Sequence, residues 1–206
     1  MKYIFVAGAP GSKWSSVVKN IYYSDSVDSS DHTQDRSYSH AGAYNGEPMH
    51  LGSYFDPGME FGSWFDRLDH YTKDQCEAEF DRPFSGTGVR IIKSHMFMYH
   101  IGFLKQTWPD SPIILVHRGD DACLGWWVRC GGFNITYPDY NKYYQNFNHM
   151  ADQITQQNKS LVKAWHSYTG LEPQTNRLLA SLLKIECPPI EYIQDYSTDD
   201  IAVKVI

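Results

Sequence analysis

Short apolar runs alternate along this chain with longer segments in which apolar residues recur at helical spacing. Three of the runs are rich in Ile and Val and end in glycine or polar residues, at 2–8, 88–95 and 111–118. Such runs are typical of central strands that are covered on both faces. A fourth apolar run, at 189–194, predicts the last strand of the chain.

The segments between these runs carry the spacing of amphipathic helices. The first helix is predicted at 13–23, where apolar residues recur three and four positions apart. Ser12 is predicted as its N-cap, because a serine hydroxyl accepts a hydrogen bond from an otherwise unpaired N–H of the first turn. Further helices are predicted at 59–80, at 96–108 with Pro109 as its stop, at 119–132, at 139–168 as one helix or two, and at 174–185.

Residues 24–58 interrupt this alternation. The stretch is dominated by Ser, Asp, Gly, Tyr and His and shows neither apolar period. A stretch this long without regular structure is typical of a functional lid or of a disordered segment, and both interpretations stay open. The rest of the pattern, strands alternating with helices, predicts an α/β fold with a central parallel sheet and helices on both faces, in one domain that spans 1–206.

Composition narrows the classes of function. The formal net charge of −6 argues against a protein that coats nucleic acid or an anionic membrane, since both tasks need a basic face. The four cysteines form no CxxC pair, which predicts reduced thiols. The apolar run at the start is too short to span a membrane and leads into a turn and a helix, so we expect a cytoplasmic protein that is neither anchored nor exported.

Polar side chains follow three predicted strands at the point where each one ends. They lie in Gly8–Ser16, in Lys93–His95 and at His117 and Arg118. Because the carboxyl ends of parallel strands share one edge of a sheet, these groups are expected to meet in one cleft.

The first of these segments has the features of a phosphate-binding turn. Backbone N–H groups of a glycine-containing turn beside a helix N-terminus bind anions, and Lys13 adds a positive charge. The turn departs from the Walker A pattern, because Gly8 stands five positions before Lys13 and Trp14 separates Lys13 from Ser15. A turn that uses Gly and Pro for geometry alone is the alternative. The predicted binding residues are Gly8, Pro10, Gly11, Ser12, Lys13, Trp14, Ser15 and Ser16.

The other two segments offer a base and two cations. Lys93 can neutralise charge on a transferring group, and His95, two residues on along the same side of the strand, can take a proton from an attacking hydroxyl. Arg118 presents a planar fork of donors that suits a phosphate. The structural alternatives are that His95 caps the strand and that Arg118 pairs with Asp120 or Asp121.

Together the segments APGSKWSS, IKSH and LVHRGDDACLGW resemble the PAPS-dependent sulfotransferases, including their short cyanobacterial and cyanophage-type members. In that family a PKSGTTW-like loop binds the 5′ phosphosulfate, a KTH or KSH element carries the catalytic histidine, and a strand-ending arginine binds the 3′ phosphate. The resemblance is confined to residues 4–18, 91–96 and 113–127. It implies a three-layer P-loop NTPase-like fold, PAPS as donor with PAP as product, and a hydroxyl or amine of a small-molecule or carbohydrate acceptor.

By this resemblance His95 is the catalytic base, Lys13 and Lys93 stabilise transferred charge, and Arg118 binds the nucleotide. The chain departs from the family where Gly11 replaces Lys or Arg and Lys13 replaces Gly, and no Ser follows Arg118 at the usual distance. Two other functions stay open, a P-loop phosphotransferase and a catalytically idle nucleotide-binding relative. The nine histidines form no HxH or HExxH pattern, so no metal is expected, and neither a nucleic acid nor a membrane is expected as partner.

Overall fold

A mostly parallel sheet of five strands forms the centre of the computed structural model, which describes residues 1–31, 51–55, 65–129, 146–196 and 200–206. The strands are β1 (Tyr3–Gly8), β2 (Ser53–Tyr54), β3 (Arg90–Lys93), β4 (Ile113–His117) and β5 (Ala202–Val205). They lie in the order β2-β3-β1-β4-β5. The first four are parallel, and β5 runs antiparallel to β4. The predicted α/β fold and the strands expected within 2–8, 88–95 and 111–118 are confirmed.

Six α-helices are present within the described residues. They are α1 (Trp14–Tyr22), α2 (Lys73–Asp81), α3 (Ile101–Thr107), α4 (Asp120–Arg129), α5 (Phe147–Ser167) and α6 (Asn176–Leu182). Shorter 3₁₀ helices cover Phe65–His70, His95–Tyr99 and Ile190–Tyr192. In the described part of the chain, no helix is long and apolar enough to cross a membrane.

Most helix predictions hold, with shifted ends. The helix expected at 96–108 begins as a 3₁₀ turn at His95 and becomes α-helical at Ile101. The helix expected at 59–80 is broken at Arg67, which has non-helical dihedral angles, and α2 starts after it with Thr72 as N-cap. Residues 59–64, 130–132 and 139–145 of the predicted helices lie outside the described residues.

The last strand was predicted in the wrong place. Ile190–Tyr192 forms a 3₁₀ helix, and the edge strand is β5, where Val203 and Val205 are buried against the sheet. Pro188 and Pro189 precede the 3₁₀ helix, and proline cannot donate to a β ladder. The alternation of buried and more exposed residues in β5 is the period-2 signal that the longer apolar run at 189–194 obscured.

The polar stretch 24–58 contains a strand, so the prediction that it lacks structure is wrong at Ser53 and Tyr54. These residues form β2, pair in parallel with β3 and are buried. The next backbone N–H, that of Phe55, donates to the Lys93 carbonyl over 2.8 Å. Two residues are too few to show a period, so the strand is defined by its partner β3. Residues 32–50 and 56–58, on which the choice between lid and disorder falls, lie outside the described residues.

Side chains of β1 alternate between two apolar clusters, as the period of a strand requires. Ile4 and Val6 enter one cluster together with residues of α1 and α6. Tyr3, Phe5 and Ala7 enter the other, together with residues of α2, α3 and α5. The sheet is therefore covered by helical side chains in both clusters.

The strand order indicates the edge of the sheet at which a ligand is expected to bind. From β1 the chain crosses towards β2 and β3, and from β4 it continues towards β5. The strand order therefore reverses between the carboxyl ends of β1 and β4, which is the position where open α/β sheets bind ligands. The loop after Gly8 and the residues after His117 lie there.

Candidate functional site

The loop between β1 and α1 folds tightly on itself. The N–H of Ser12 donates to the Ala9 carbonyl over 3.0 Å, and the N–H of Ser16 donates to the Lys13 carbonyl over 2.9 Å. Gly11 (φ 78°) and Lys13 (φ 59°) both adopt left-handed backbone conformations. Lys13 is the N-cap of α1, and its side chain makes no capping hydrogen bond. The prediction that Ser12 caps this helix is therefore wrong.

Ser12 instead lies inside the loop. Its side chain is fully buried, and among the described residues its Oγ has no hydrogen-bond partner. A Cβ placed on Gly8 would lie 2.7 Å from this oxygen, so glycine at position 8 leaves the space that the hydroxyl occupies. A buried hydroxyl without a partner costs about 1–3 kcal/mol, which a bound anion that accepts its hydrogen would recover.

Gly11 brings the loop against the start of α4. A Cβ at this position would lie 2.0 Å from the Cys123 carbonyl oxygen. Nη1 of Arg118 donates to the Gly11 carbonyl over 3.2 Å. The Arg118 backbone carbonyl in turn accepts from Nδ2 of Asn158 over 2.8 Å. The end of β4 is thus tied to the first loop on one side and to α5 on the other.

His95 approaches the same loop from β3. Its side chain is 5% exposed, and Nδ1 is hydrogen-bonded to the Gly8 carbonyl. Since a carbonyl only accepts, Nδ1 carries the proton, and the lone pair of the neutral ring is on Nε2. The ring stacks on Trp14 with centroids 4.0 Å apart and meets the ring of Tyr54 edge-on at 5.5 Å.

Lys93 is a fully buried lysine beside these rings. Its Nζ lies 5.4 Å from the ring centroid of Trp14 and 5.7 Å from that of Tyr54. Burial disfavours an ammonium, and the electron-rich faces of aromatic rings offset part of that cost. Lys93 and His95 therefore share one aromatic environment.

Lys13 lies on the other side of the loop. Its Nζ is 4.0 Å from the ring centroid of Trp126 on α4, and the Arg129 guanidinium is 5.8 Å from the same ring.

The structure thus brings Lys93, His95 and Trp14 together beside β3, and Lys13 and Arg118 beside α4. The remaining predicted residues of the loop are Pro10, which is buried, and Ser15 and Ser16, which are half-buried in the first turn of α1.

Asp120 holds α4 against α5. Its carboxylate accepts from Oγ1 of Thr155 over 2.8 Å and from Nδ2 of Asn158 over 2.6 Å. Asp120 therefore has a structural role at the start of α4, as its place in the first helical turn suggests.

Burial shapes the acid–base properties near the end of β4. Burial lowers the pKa of His117 below its usual value, against the opposing effect of the Asp120 carboxylate. Burial also raises the pKa of the Cys123 thiol to about 12, so this thiol stays protonated near neutral pH. Cys123 therefore serves as a packing residue and as a weak donor to the Arg118 carbonyl, at 3.3 Å.

Three residues of this region escaped prediction from the sequence. Tyr54 lies in the stretch without an apolar period, so no local signal marked it. Gln157 and Asn158 lie on the buried face of α5, with side chains that are 0% and 4% exposed. The sequence signal that could have found them is a pair of adjacent amides on a helical face that is otherwise apolar.

Within the described residues, no group of three His, Cys, Asp or Glu side chains lies close enough to hold a metal ion. His70, His149 and His166 are exposed, whereas His32, His40 and His50 lie outside the described residues. Cys76, Cys123 and Cys187 are free thiols.

Comparison of the chain with models of known protein families, with curated proteins and with solved structures found no match. What the site binds and does is therefore inferred from its own side chains and geometry.

Proposed function

We propose that this protein is a PAPS-dependent sulfotransferase with a three-layer P-loop NTPase-like fold, which acts on a hydroxyl or amine of a small-molecule or carbohydrate acceptor. One relationship carries the proposal. His95 and Arg118, from two different strand ends, bond to the Gly8 and Gly11 carbonyls of a single glycine-containing loop. An imidazole base and a guanidinium thus flank one helix N-terminus, which is an arrangement suited to group transfer from an anionic donor.

The residues of the loop fit an anionic nucleotide. An α-helix can offer the N–H groups of its first turn to an anion, and α1 begins directly after the loop, with the N–H of Ser16 already donating to the Lys13 carbonyl. The buried Ser12 hydroxyl adds a donor without a partner among the described residues. Arg118 and Lys13 supply positive charge beside α4. We assign the 5′ phosphosulfate to the loop and α1, and the 3′ phosphate to Arg118.

At one position the backbone of the loop adopts a conformation that suits the glycine of the sulfotransferase pattern. Lys13 stands where the sulfotransferase loop has Gly, and its φ of 59° lies in the left-handed region that favours glycine. The backbone path therefore suits the family pattern at this position, although the side chain differs. The ammonium group of Lys13 then approaches the nucleotide from the side of α4.

In the proposed reaction, His95 removes the proton from the acceptor. PAPS supplies an activated sulfuryl group: the acceptor oxygen or nitrogen forms a bond to sulfur as the bond from sulfur to the bridging phosphate oxygen breaks, and PAP leaves with that electron pair. Nε2 of His95 receives the acceptor proton, because Nδ1 is already committed to Gly8. Lys93 and Lys13 stabilise the negative charge on the sulfuryl and bridging oxygens, an effect worth about 3–4 kcal/mol per preorganised group in comparable sites.

Nucleotide binding is the first test. We expect PAP to bind in calorimetry and to raise the melting temperature equally with and without Mg²⁺. A ligand at 100 times its Kd adds about 2.7 kcal/mol of stability. ATP that binds only with Mg²⁺ would favour the phosphotransferase instead. If neither nucleotide binds, the proposal is wrong.

Transfer of labelled sulfate from PAPS to a panel of sugars, phenols and amines is the second test. His95→Ala should abolish transfer and leave PAP affinity within about threefold, since His95 acts on the acceptor proton. His166→Ala, which changes an exposed histidine on α5, is the matched control and should keep wild-type turnover. PAP binding without turnover on any acceptor would favour the catalytically idle relative.

A further inference from the structure

The imidazole of His95 is held by two other rings. Its plane is tilted only 10° from that of Trp14, at a centroid distance of 4.0 Å. Tyr54 meets His95 at 86° and Trp14 at 85°, with centroids 5.5 Å and 5.1 Å away. All three side chains are buried. The rings therefore form one packed unit, called here the aromatic clamp (Trp14, Tyr54 and His95).

The clamp and the Gly8 carbonyl fix different properties of the imidazole. Stacking on Trp14 fixes the plane of the ring, because a ring turned by a quarter would collide with the indole at this separation. Two orientations within that plane remain, related by a half-turn that exchanges Nδ1 with a carbon. The hydrogen bond from Nδ1 to Gly8 selects one of them. The hydrogen bond between Nδ1 and the Gly8 carbonyl keeps good geometry only while the plane of the imidazole is fixed.

The sheet explains why these three residues meet. Tyr54 of β2 is paired in register with Lys93 of β3, and His95 follows two residues later. β3 is also the neighbour of β1, whose loop leads into Trp14, the first residue of α1. The clamp thus joins the strand that carries the base to the helix that begins at the phosphate-binding loop.

We propose that Trp14 and Tyr54 are positioning residues, which hold His95 in the tautomer with the proton on Nδ1 and so direct Nε2 towards the acceptor. The assignment of the acceptor rests on the proposed function, whereas the tautomer and its dependence on the clamp do not. Trp14 was predicted to bind the donor nucleotide. Here it acts on the base through its ring, which stacks on the imidazole.

Long-range ¹H–¹⁵N correlation spectra of histidine-labelled protein, recorded without nucleotide at mildly alkaline pH, report the tautomer directly. His95 is assigned by the loss of its signals in His95→Gln and, independently, by the displacement of its ring protons by the stacked indole. In the wild-type protein we expect a single Nδ1–H tautomer. In Trp14→Leu we expect averaging between both tautomers and loss of the ring-current displacement, whereas Trp14→Phe, which keeps an aromatic face, should retain the Nδ1–H form.

Tyr54 provides a second pair of variants. Tyr54→Leu should also give averaged tautomers, and Tyr54→Phe should resemble the wild type, since the ring makes the contact with His95. If Trp14→Leu fails to fold, the Tyr54 pair and Trp14→Phe decide the question. A wild-type Nε2–H tautomer, or a single Nδ1–H tautomer in both leucine variants, would overturn the positioning role.

The turnover of the active enzyme distinguishes this inference from the proposed function. Trp14→Leu should lower kcat by about 100-fold, the effect expected when a catalytic group is misplaced by about 1 Å, and Trp14→Phe should recover most of it. An Nδ1–H tautomer that depends on the clamp, in a protein that binds no PAP, would reject the proposed function and leave the positioning role intact. Full turnover in Trp14→Leu would reject the positioning role alone.

Discussion

Arg118 donates a hydrogen bond to the carbonyl of Gly11, 107 positions earlier in the chain, over 3.2 Å. The contact closes the gap between the carboxyl ends of β1 and β4, where the strand order reverses. It also directs a guanidinium towards the turn that begins α1. The candidate site therefore depends on an interaction between segments that are remote in the sequence.

Replacing Arg118 should weaken nucleotide binding. Arg118→Met removes the fork of donors, and a hydrogen bond to a charged group is worth about 1.5–3 kcal/mol, so the Kd for PAP should rise by about tenfold or more in calorimetry. Arg118→Lys keeps the charge without the fork of donors, and its Kd for PAP should lie between those of the wild type and of Arg118→Met. Arg82→Met, which removes an exposed arginine paired with Glu79 on α2, is the control and should bind as the wild type does. Unchanged affinity in Arg118→Met would remove this residue from the site.

Lys13→Gly should separate backbone strain from charge. The left-handed conformation at Lys13 costs about 1 kcal/mol for a residue with a Cβ, so glycine should raise the free energy of unfolding by about that amount in urea titrations. The same change removes a cation and should weaken PAP binding. A more stable variant with undiminished PAP affinity would show that the Lys13 ammonium does not contact the nucleotide.

Gly11→Ala should distort the loop. The added Cβ would lie 2.0 Å from the Cys123 carbonyl oxygen, and φ is 78°, so we expect a loss of about 2 kcal/mol or more in the free energy of unfolding. Gly125→Ala, in α4, is the matched control: among the described atoms outside its own helix backbone, none lies within 4 Å of the added Cβ. It should be stabilising by about 0.5–1 kcal/mol, because glycine is unfavourable inside a helix. Equal effects of the two changes would contradict this account of the loop.

Two adjacent buried amides on α5 should respond in opposite ways to leucine. In the described structure, Oε1 of Gln157 has no hydrogen-bond partner, and its Nε2 lies 4.0 Å from Sδ of Met96. Gln157→Leu should therefore raise the free energy of unfolding by about 1 kcal/mol. Asn158→Leu removes the bonds to Arg118 and Asp120 and should lower it by about 1–3 kcal/mol. Chemical denaturation of both variants tests the contrast, and a destabilised Gln157→Leu would indicate an unrecognised role for that amide.

His117 should make stability depend on pH. Burial lowers its pKa in the folded protein below the usual 6.5, with Asp120 opposing, so the unfolded chain binds more protons between the two values. The contribution of neutral His117 to the free energy of unfolding is fully present above pH 6.5 and is lost as the pH falls through the lowered pKa of the folded protein. His117→Gln should therefore show a smaller loss of stability than the wild type as urea titrations move from about pH 7 to about pH 5. Parallel curves for the two proteins would contradict the lowered pKa.

The buried strands β1, β3 and β4 could be predicted because each is a continuous apolar run with a polar end. β2 could not, since its two residues are defined by the neighbouring strand rather than by their own pattern. The N-cap assigned to Ser12 failed for a related reason. The helix begins one residue later than its apolar spacing predicts, with Lys13 at the N-cap in a left-handed conformation, and the Ser12 hydroxyl lies inside the loop in the space that Gly8 leaves.

The α/β class, the three central strands and the polar residues that follow them can all be predicted from the sequence, because these features depend on local periodicity and on where apolar runs end. The partners of those polar residues become visible only in the folded chain. The tertiary structure placed His95 against Trp14 and Gly8, Arg118 against Gly11, and Lys13 against Trp126. Such contacts depend on sheet order and on the packing of side chains from remote segments, which no local pattern of residues encodes.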